Sequence, residues 1–109
     1  MSGSAIKQPP RNAEGFLNSA EDWSDRVCEA LAQEEGIALT DAHWEVVYLL
    51  RDYYFEYDSS PAMRALVKYL KLHLGPEKSR SIHLLKLFPE SPARVASKLA
   101  GLPKPANCL

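Results

Sequence analysis

Cysteine is scarce in this chain: Cys28 and Cys108 are the only two among 109 residues. They have no CxxC spacing, and the three histidines are scattered, so the usual zinc ligands are not grouped. In a reducing compartment, two such distant thiols are not expected to form a structural disulfide. We therefore expect no metal site.

Long apolar runs are also missing, since no stretch reaches the ~18 residues that a membrane helix needs. The opening residues, MSGSAIKQPP, lack the basic and apolar blocks of a signal peptide. The five glycines are not grouped into a phosphate-binding loop, and we expect no cofactor. A cytoplasmic protein without membrane contact is the resulting expectation.

The net charge is only −1, but the charges are unevenly distributed. The first half of the chain has few basic residues, and the second half has few acidic ones. Residues 1–60 hold twelve acidic and four basic residues, whereas residues 61–109 hold two acidic and nine basic ones. Two solvated faces of opposite sign would explain this division. A basic half that meets an acidic partner or RNA is the alternative explanation.

Helix signals dominate what is present. Apolar residues recur at helical spacing, and cap residues or prolines precede most of the apolar stretches. The sequence predicts a mainly α fold (α+β at most): a compact five-helix domain over 14–101, with at most a small N-terminal β-hairpin. Residues 1–13 are predicted to be a loose tail and residues 102–109 a mobile C-terminal arm. The predicted helices are 20–35, 41–57, 61–74, 80–88 and one from Pro92 to Gly101, with caps at Ser19, Thr40, Ser60 and Ser91.

The second predicted helix is apolar on nearly every side, which predicts that it is the central helix of the fold. It is joined to the third by about three residues, as in a helix-turn-helix. The exposed side of the third helix would carry Arg64, Lys68 and Lys71, which suit phosphates but do not read bases as Asn or Gln do. We interpret the pair as two packed helices and expect no sequence-specific DNA binding.

Cys108 is the strongest candidate for chemistry. It follows Gly101, which ends the last helix, and a spacer whose Pro103 and Pro105 favour an extended course. Eight such residues at ~3.1 Å each would carry the thiol up to about 25 Å from the helix. An exposed thiolate can attack a sulfur atom on a partner, although a terminal cysteine without a role is the alternative.

The other candidates are predicted to be structural. Cys28 stands beside Val27 and Leu31 on the first helix, as small buried cysteines do. The histidines, His43, His73 and His83, each lack a neighbouring acid or nucleophile in the sequence.

The string KLAGLPKPANCL resembles the C-terminal arm of the TusE/DsrC family, in which an AGLPKP stretch precedes a penultimate cysteine. The stretches EDWSDRVCEALAQEEGIALTDAHWEVVYLLRDYYFEY, SSPAMRALVKYL and LLKLFPESPARVASKLAG are similar to the family's helices. The similarity extends from about Glu14 to Leu109, while residues 1–13 depart from it.

This resemblance implies that Cys108 carries sulfur as a persulfide. The members that work with dissimilatory sulfite reductase have a second arm cysteine eleven residues earlier, where this chain has Ser97. The resemblance thus favours a TusE-like sulfurtransferase that relays sulfur toward 2-thiolation of the tRNA wobble uridine. It implies a TusBCD-like donor complex and an MnmA-like tRNA thiolase, with or without tRNA, as partners.

Two alternatives stay open at this point. One is a DsrC-like partner of a sulfite reductase or of a sulfur-oxidation system. The other is a non-enzymatic helix-turn-helix domain that regulates or binds nucleic acid.

Overall fold

The computed structural model describes residues 8–106, and the sequence at 1–7 and 107–109 lies outside the described part. Within the described part the chain forms a short 3-10 helix, Ala20–Asp22, and five α-helices. These are α1 (Asp25–Glu34), α2 (Asp41–Tyr57), α3 (Met63–Leu74), α4 (Ser81–Leu87) and α5 (Pro92–Leu99). The predicted mainly α fold with five helices is confirmed.

The first helix is shorter than predicted. Ser19 Oγ accepts a hydrogen bond from Glu21 N at 3.3 Å, but this cap opens only the 3-10 helix. Ser24 Oγ accepts one from Val27 N at 3.2 Å and opens α1. Serine at this position competes with the helical backbone for amide donors, so it starts a new helix instead of continuing the old one. The break leaves Trp23 between the two helices in extended conformation.

The beginning of α3 also differs from the prediction. Ser60 is not the cap, because the helix begins at Met63 and Ala62 occupies the cap position. Pro61 is fully buried ahead of the helix. The Ser60 hydroxyl donates instead to the carbonyl oxygen of Pro103 at 2.6 Å. By contrast, α5 begins at Pro92 as predicted.

The centre of the fold is α5, not α2 as the apolar pattern predicted. Helix α5 contacts each of the other four α-helices, although it is only eight residues long. Its small side chains let neighbouring helices approach closely on several sides, which a helix rich in tyrosine cannot do. In α2, Tyr48, Phe55 and Tyr57 stay exposed. The residues of α5 that are buried are Pro92, Ala93, Val95, Ala96, Ser97 and Leu99.

The predicted N-terminal hairpin is reduced to one antiparallel bridge, between Arg11 and Leu17. Asn12 closes the turn, since its side-chain oxygen accepts from the amides of Glu14 and Phe16 at 2.9 and 3.0 Å. Phe16 and Leu17 are buried. Residues 11–13 are therefore part of the domain and not of a loose tail.

This N-terminal turn is also tied to α1. Arg11 donates to both carboxylate oxygens of Glu34, at 2.9 and 3.1 Å. These hydrogen bonds lower the pKa of Glu34. No helix in residues 8–106 combines the length and the apolar character that crossing a membrane requires.

Candidate functional site

Cys108 lies outside the described residues, so its role in sulfur chemistry stays a prediction. The described chain ends at Ala106, two residues before it. The structure does define the base from which the cysteine extends, namely residues 99–106 and the side chains that hold them.

The end of α5 is fixed by a Schellman motif. Gly101 N donates to Lys98 O at 3.1 Å, and Leu102 N donates to Ser97 O at 3.0 Å. Gly101 has a φ of +75°, a left-handed conformation that glycine adopts without strain. The turn directs Leu102 back into the core, where it is fully buried.

A second set of contacts comes from Trp23 and Arg51. Trp23 Nε1 donates to the carbonyl oxygen of Leu99 at 2.8 Å. Arg51 donates to Ala100 O at 2.8 Å and to Ala20 O at 3.1 Å. Its guanidinium carbon lies 4.2 Å from the centre of the Trp23 ring, a cation–π distance. We call Trp23 and Arg51 the clamp, because together they hold the last turn of α5 and the segment before α1.

The segment that follows the clamp lies against the domain. The Pro103 carbonyl accepts from Ser60, and Lys104 Nζ lies 2.9 Å from Glu14 Oε2. Pro105 is buried, while Pro103 and Ala106 are exposed. Residues 102–105 thus differ from the freely extended arm that two prolines suggested. The reason is that Leu102 and Pro105 each bury apolar surface, while a hydroxyl and a carboxylate bind the residues between them.

Beside this segment is an open groove of about 430 Å³. Phe55 of α2 lines it and is 58% exposed. Two exposed carboxylates, Glu21 and Asp58, also line it, and neither forms an ion pair within residues 8–106. The lining residues are Leu17, Asn18, Ser19, Ala20, Glu21, Tyr54, Phe55, Asp58 and Pro103.

Cys28 is buried, as the helical pattern predicted. Burial, with smaller contributions from the charges of Asp25 and Glu29, raises the pKa of its thiol to about 12. Because the thiolate is the reactive form, burial disfavours reaction at Cys28 in the folded protein.

Ser97 is fully buried in α5. Its hydroxyl oxygen has no hydrogen-bond partner in the part of the chain that the structure describes. The side chain is therefore a buried polar group inside the most enclosed helix of the fold.

The three histidines do not converge. His43 is buried, with Nε2 2.8 Å from Leu87 O and Nδ1 3.1 Å from Thr40 N. A carbonyl oxygen only accepts, so the geometry assigns the proton to Nε2 and leaves Nδ1 as the acceptor. His43 therefore links the start of α2 to the end of α4. His73 lies against Tyr69 in a tilted arrangement with ring centres 4.4 Å apart, and His83 is half-buried on α4.

The predicted pair of helices α2 and α3 packs together, and the bases Arg64, Lys68 and Lys71 are exposed on α3. Sequence reasoning missed the clamp and the contacts of Ser60 and Glu14. The helical pattern predicts that Trp23 belongs to the apolar side of the first helix. It identifies Arg51 as a charged residue but predicts no partner for it. A tryptophan and an arginine at positions predicted to be helical carry no sequence signal for the carbonyl oxygens that they bind.

Comparison with known proteins assigns this arrangement to a family. Residues 4–109 match the family described as "DsrC like protein". The "Sulfurtransferase TusE homolog" of Haemophilus influenzae is 54% identical over 96 residues, which cover 88% of each chain. The chain belongs to the DsrC-like family.

Two solved structures share the fold. The NMR structure of Allochromatium vinosum DsrC has a TM-score of 0.85 and 42% identity, and the match covers 94% of this chain and 92% of that one. The oxidized gamma-subunit of the dissimilatory sulfite reductase (DsrC) from Archaeoglobus fulgidus has a TM-score of 0.80 and 39% identity, with 94% of both chains covered. Together with the sulfurtransferase name, these relatives support a role in sulfur relay.

Proposed function

We propose that this protein is a sulfur carrier that accepts persulfide sulfur on Cys108 and relays it toward tRNA wobble-uridine 2-thiolation. The observation that carries the proposal is the 54% identity, over 88% of the chain, to a protein named as a sulfurtransferase. The anchored segment supports the proposal. Pro105 is buried and Cys108 follows only three residues later, so a partner would meet the thiol close to the domain.

The transfer step is a thiol–persulfide exchange. The Cys108 thiolate attacks the outer sulfur of a donor cysteine persulfide, and a new sulfur–sulfur bond forms on Cys108. The donor's own sulfur–sulfur bond breaks, and its cysteine leaves as a thiolate. The sum of oxidation states is unchanged, so the step requires no oxidant or reductant. The product is a persulfide on Cys108, which an acceptor can attack in the same manner.

Cys28 does not compete for this reaction. Its thiol is buried and has a pKa of about 12, so almost none of it is thiolate at neutral pH. The protein therefore acts with one cysteine. The proposed partners are a TusBCD-like persulfide donor complex and an MnmA-like tRNA thiolase, and the proposed location is the cytoplasm.

A second candidate is a DsrC-like partner of a sulfite reductase, which the similarity to the Archaeoglobus fulgidus gamma-subunit favours. A disulfide between two arm cysteines requires a thiol at position 97, where this chain has a serine. The serine hydroxyl cannot form that bond, so the one-cysteine relay is the better proposal.

The direct test is mass spectrometry of the intact protein after incubation with a persulfide-loaded TusBCD-type complex. The wild-type protein should gain one sulfur atom, mapped to Cys108 by peptide analysis. Cys108→Ser should gain none and should melt at the wild-type temperature. Cys28→Ser is the matched control and should still gain sulfur. Equal sulfur uptake by Cys108→Ser would refute the proposal.

A further inference from the structure

We propose that the groove beside Pro103 is the docking surface for the persulfide donor, and that it fits an apolar side chain flanked by Lys or Arg. This inference rests on the proposed function, since it takes Cys108 as the residue that receives sulfur. It adds where the donor binds and which chemistry its surface presents.

The first argument is the short reach of the cysteine. Pro105 is buried, and Leu102, Pro103 and Lys104 are all held by the domain. Three residues, fully extended, span about 10 Å. While these contacts persist, the donor sulfur must therefore come within about that distance of Pro105.

The second argument is the size of a protein interface. A specific interface covers about 800 Å² on each partner, a patch much wider than the reach of three residues. A donor that meets Cys108 so near the domain must cover surface around Pro105. Pro103, two residues away in the chain, is one wall of the groove. The groove is therefore adjacent to the segment that the donor must approach.

The third argument is the apolar content of the groove. Phe55 is 58% exposed and lies 5.5 Å, ring centre to ring centre, from Tyr54, which also lines the groove. Arg51 of the clamp lies behind Phe55, with its guanidinium carbon 5.2 Å from the ring centre. Exposed aromatic side chains on a fixed support are typical binding anchors, because little conformational entropy is lost on binding.

The fourth argument is charge complementarity. Glu21 and Asp58 place two carboxylates at the groove, and neither forms an ion pair within residues 8–106. A persulfide donor releases a thiolate when it transfers sulfur, and neighbouring Lys or Arg side chains stabilise such a thiolate. A donor site with cationic neighbours would be attracted to this acidic rim.

The apolar part is tested with Phe55→Ala and Phe55→Leu, and with Ile82→Ala as the control. Ile82 is 59% exposed on α4 and does not line the groove. The probe is a TusBCD-type complex whose sulfane sulfur is labelled with ³⁵S. We expect Phe55→Ala to weaken binding, measured as Kd, about tenfold, Phe55→Leu less, and Ile82→Ala not at all.

The acidic rim is tested with the double variant Glu21→Gln, Asp58→Asn. Asparagine adopts the left-handed backbone of Asp58 (φ 56°) about as readily as aspartate, so the fold is preserved. We expect slower association with the donor and a weaker dependence of the rate on salt. The control Glu29→Gln removes one exposed acid of α1 outside the groove and should behave as wild type.

The outcomes separate the two proposals. If wild-type protein takes no ³⁵S from the donor, the proposed function itself fails. If it takes sulfur, but Phe55→Ala and the double variant bind and react as wild type does, the groove is not the docking surface and the proposed function stands. Alkylation of Cys108 by iodoacetamide should be equally fast in all variants, because the groove is proposed to act through binding.

Discussion

The indole ring of Trp23 occupies the space that a side chain on Gly101 would need. A Cβ on Gly101 would come 2.5 Å from Trp23 Cδ1 and 2.8 Å from Trp23 Cβ, far inside van der Waals contact. Gly101 also has a φ of +75°, which costs an L residue roughly 1–2 kcal/mol. The position where the C-terminal segment leaves α5 therefore disfavours every residue that has a Cβ.

We expect Gly101→Ala to lower the free energy of unfolding by about 3 kcal/mol, the sum of backbone strain and steric overlap. Gly36→Ala is the matched control. Gly36 has a similar φ of +73°, but a Cβ added there would meet no atom within 4 Å. It should lose only about 1 kcal/mol, from the backbone alone. Urea unfolding curves measure both, and equal losses would show that Trp23 does not constrain Gly101.

Arg51 should resist even a conservative substitution. Its two terminal nitrogens bind two different carbonyl oxygens, those of Ala100 and Ala20, and lysine cannot reach both with a planar fork. We expect Arg51→Lys to lower the free energy of unfolding by about 2 kcal/mol, since each hydrogen bond from a charged donor contributes about that much. Arg26→Lys, at an exposed position of α1, is the control and should change stability by less than about 0.5 kcal/mol. If Arg51→Lys left the free energy of unfolding unchanged, the two hydrogen bonds of Arg51 in the clamp would not stabilise the fold.

The sequence predicted the helices well where local signals decide the structure. The five helices, the start of α5 at Pro92 and the burial of Cys28 follow from caps, prolines and apolar spacing. The centre of the fold did not follow, because the apolar pattern of α2 counts tyrosines as core residues. Tyr48 satisfies its hydroxyl at the surface, where it donates to Asp25 at 2.6 Å.

The base of the arm, which is the part of the candidate site that the structure describes, was not predicted, for a related reason. A penultimate cysteine and two prolines can be read locally, but the base of the arm is held by residues far away in the chain. Trp23 lies 76 positions before the carbonyl oxygen of Leu99 that it binds, and Glu14 lies 90 positions before Lys104. Such contacts depend on the packing of helices that a local pattern does not encode. The helical pattern places Phe55 on one side of α2 and gives no sign that this ring stays exposed.

The buried thiol of Cys28 predicts a pH dependence of stability. Its pKa is raised from an ordinary value near 9 to about 12, so between these values the folded state holds a proton that the unfolded state has lost. The contribution of Cys28 to the free energy of unfolding is fully present below pH 9. It falls as the pH rises further, by at most about 1.4 kcal/mol per pH unit. Cys28→Ala should lack this loss. Urea unfolding of both proteins from pH 8 to 10.5 measures the difference, in which the titration of other groups cancels. Parallel pH profiles would mean that Cys28 is accessible to water.

Ser97 and Ser79 are both buried, and we expect their hydroxyls to have opposite effects on the free energy of unfolding. Ser97 is fully buried and its oxygen has no partner in residues 8–106, whereas Ser79, 3% exposed, donates to Pro76 O at 3.1 Å. Removing a buried hydroxyl without a partner relieves a desolvation cost, and alanine also favours the helix. We therefore expect Ser97→Ala to raise the free energy of unfolding by about 1 kcal/mol.

Ser79→Ala should have the opposite sign and lower the free energy of unfolding by about 1 kcal/mol, because its hydrogen bond is lost and the Pro76 carbonyl loses its partner. Chemical denaturation of the two variants and the wild type measures the sign of each change in the free energy of unfolding. A destabilised Ser97→Ala would contradict the prediction.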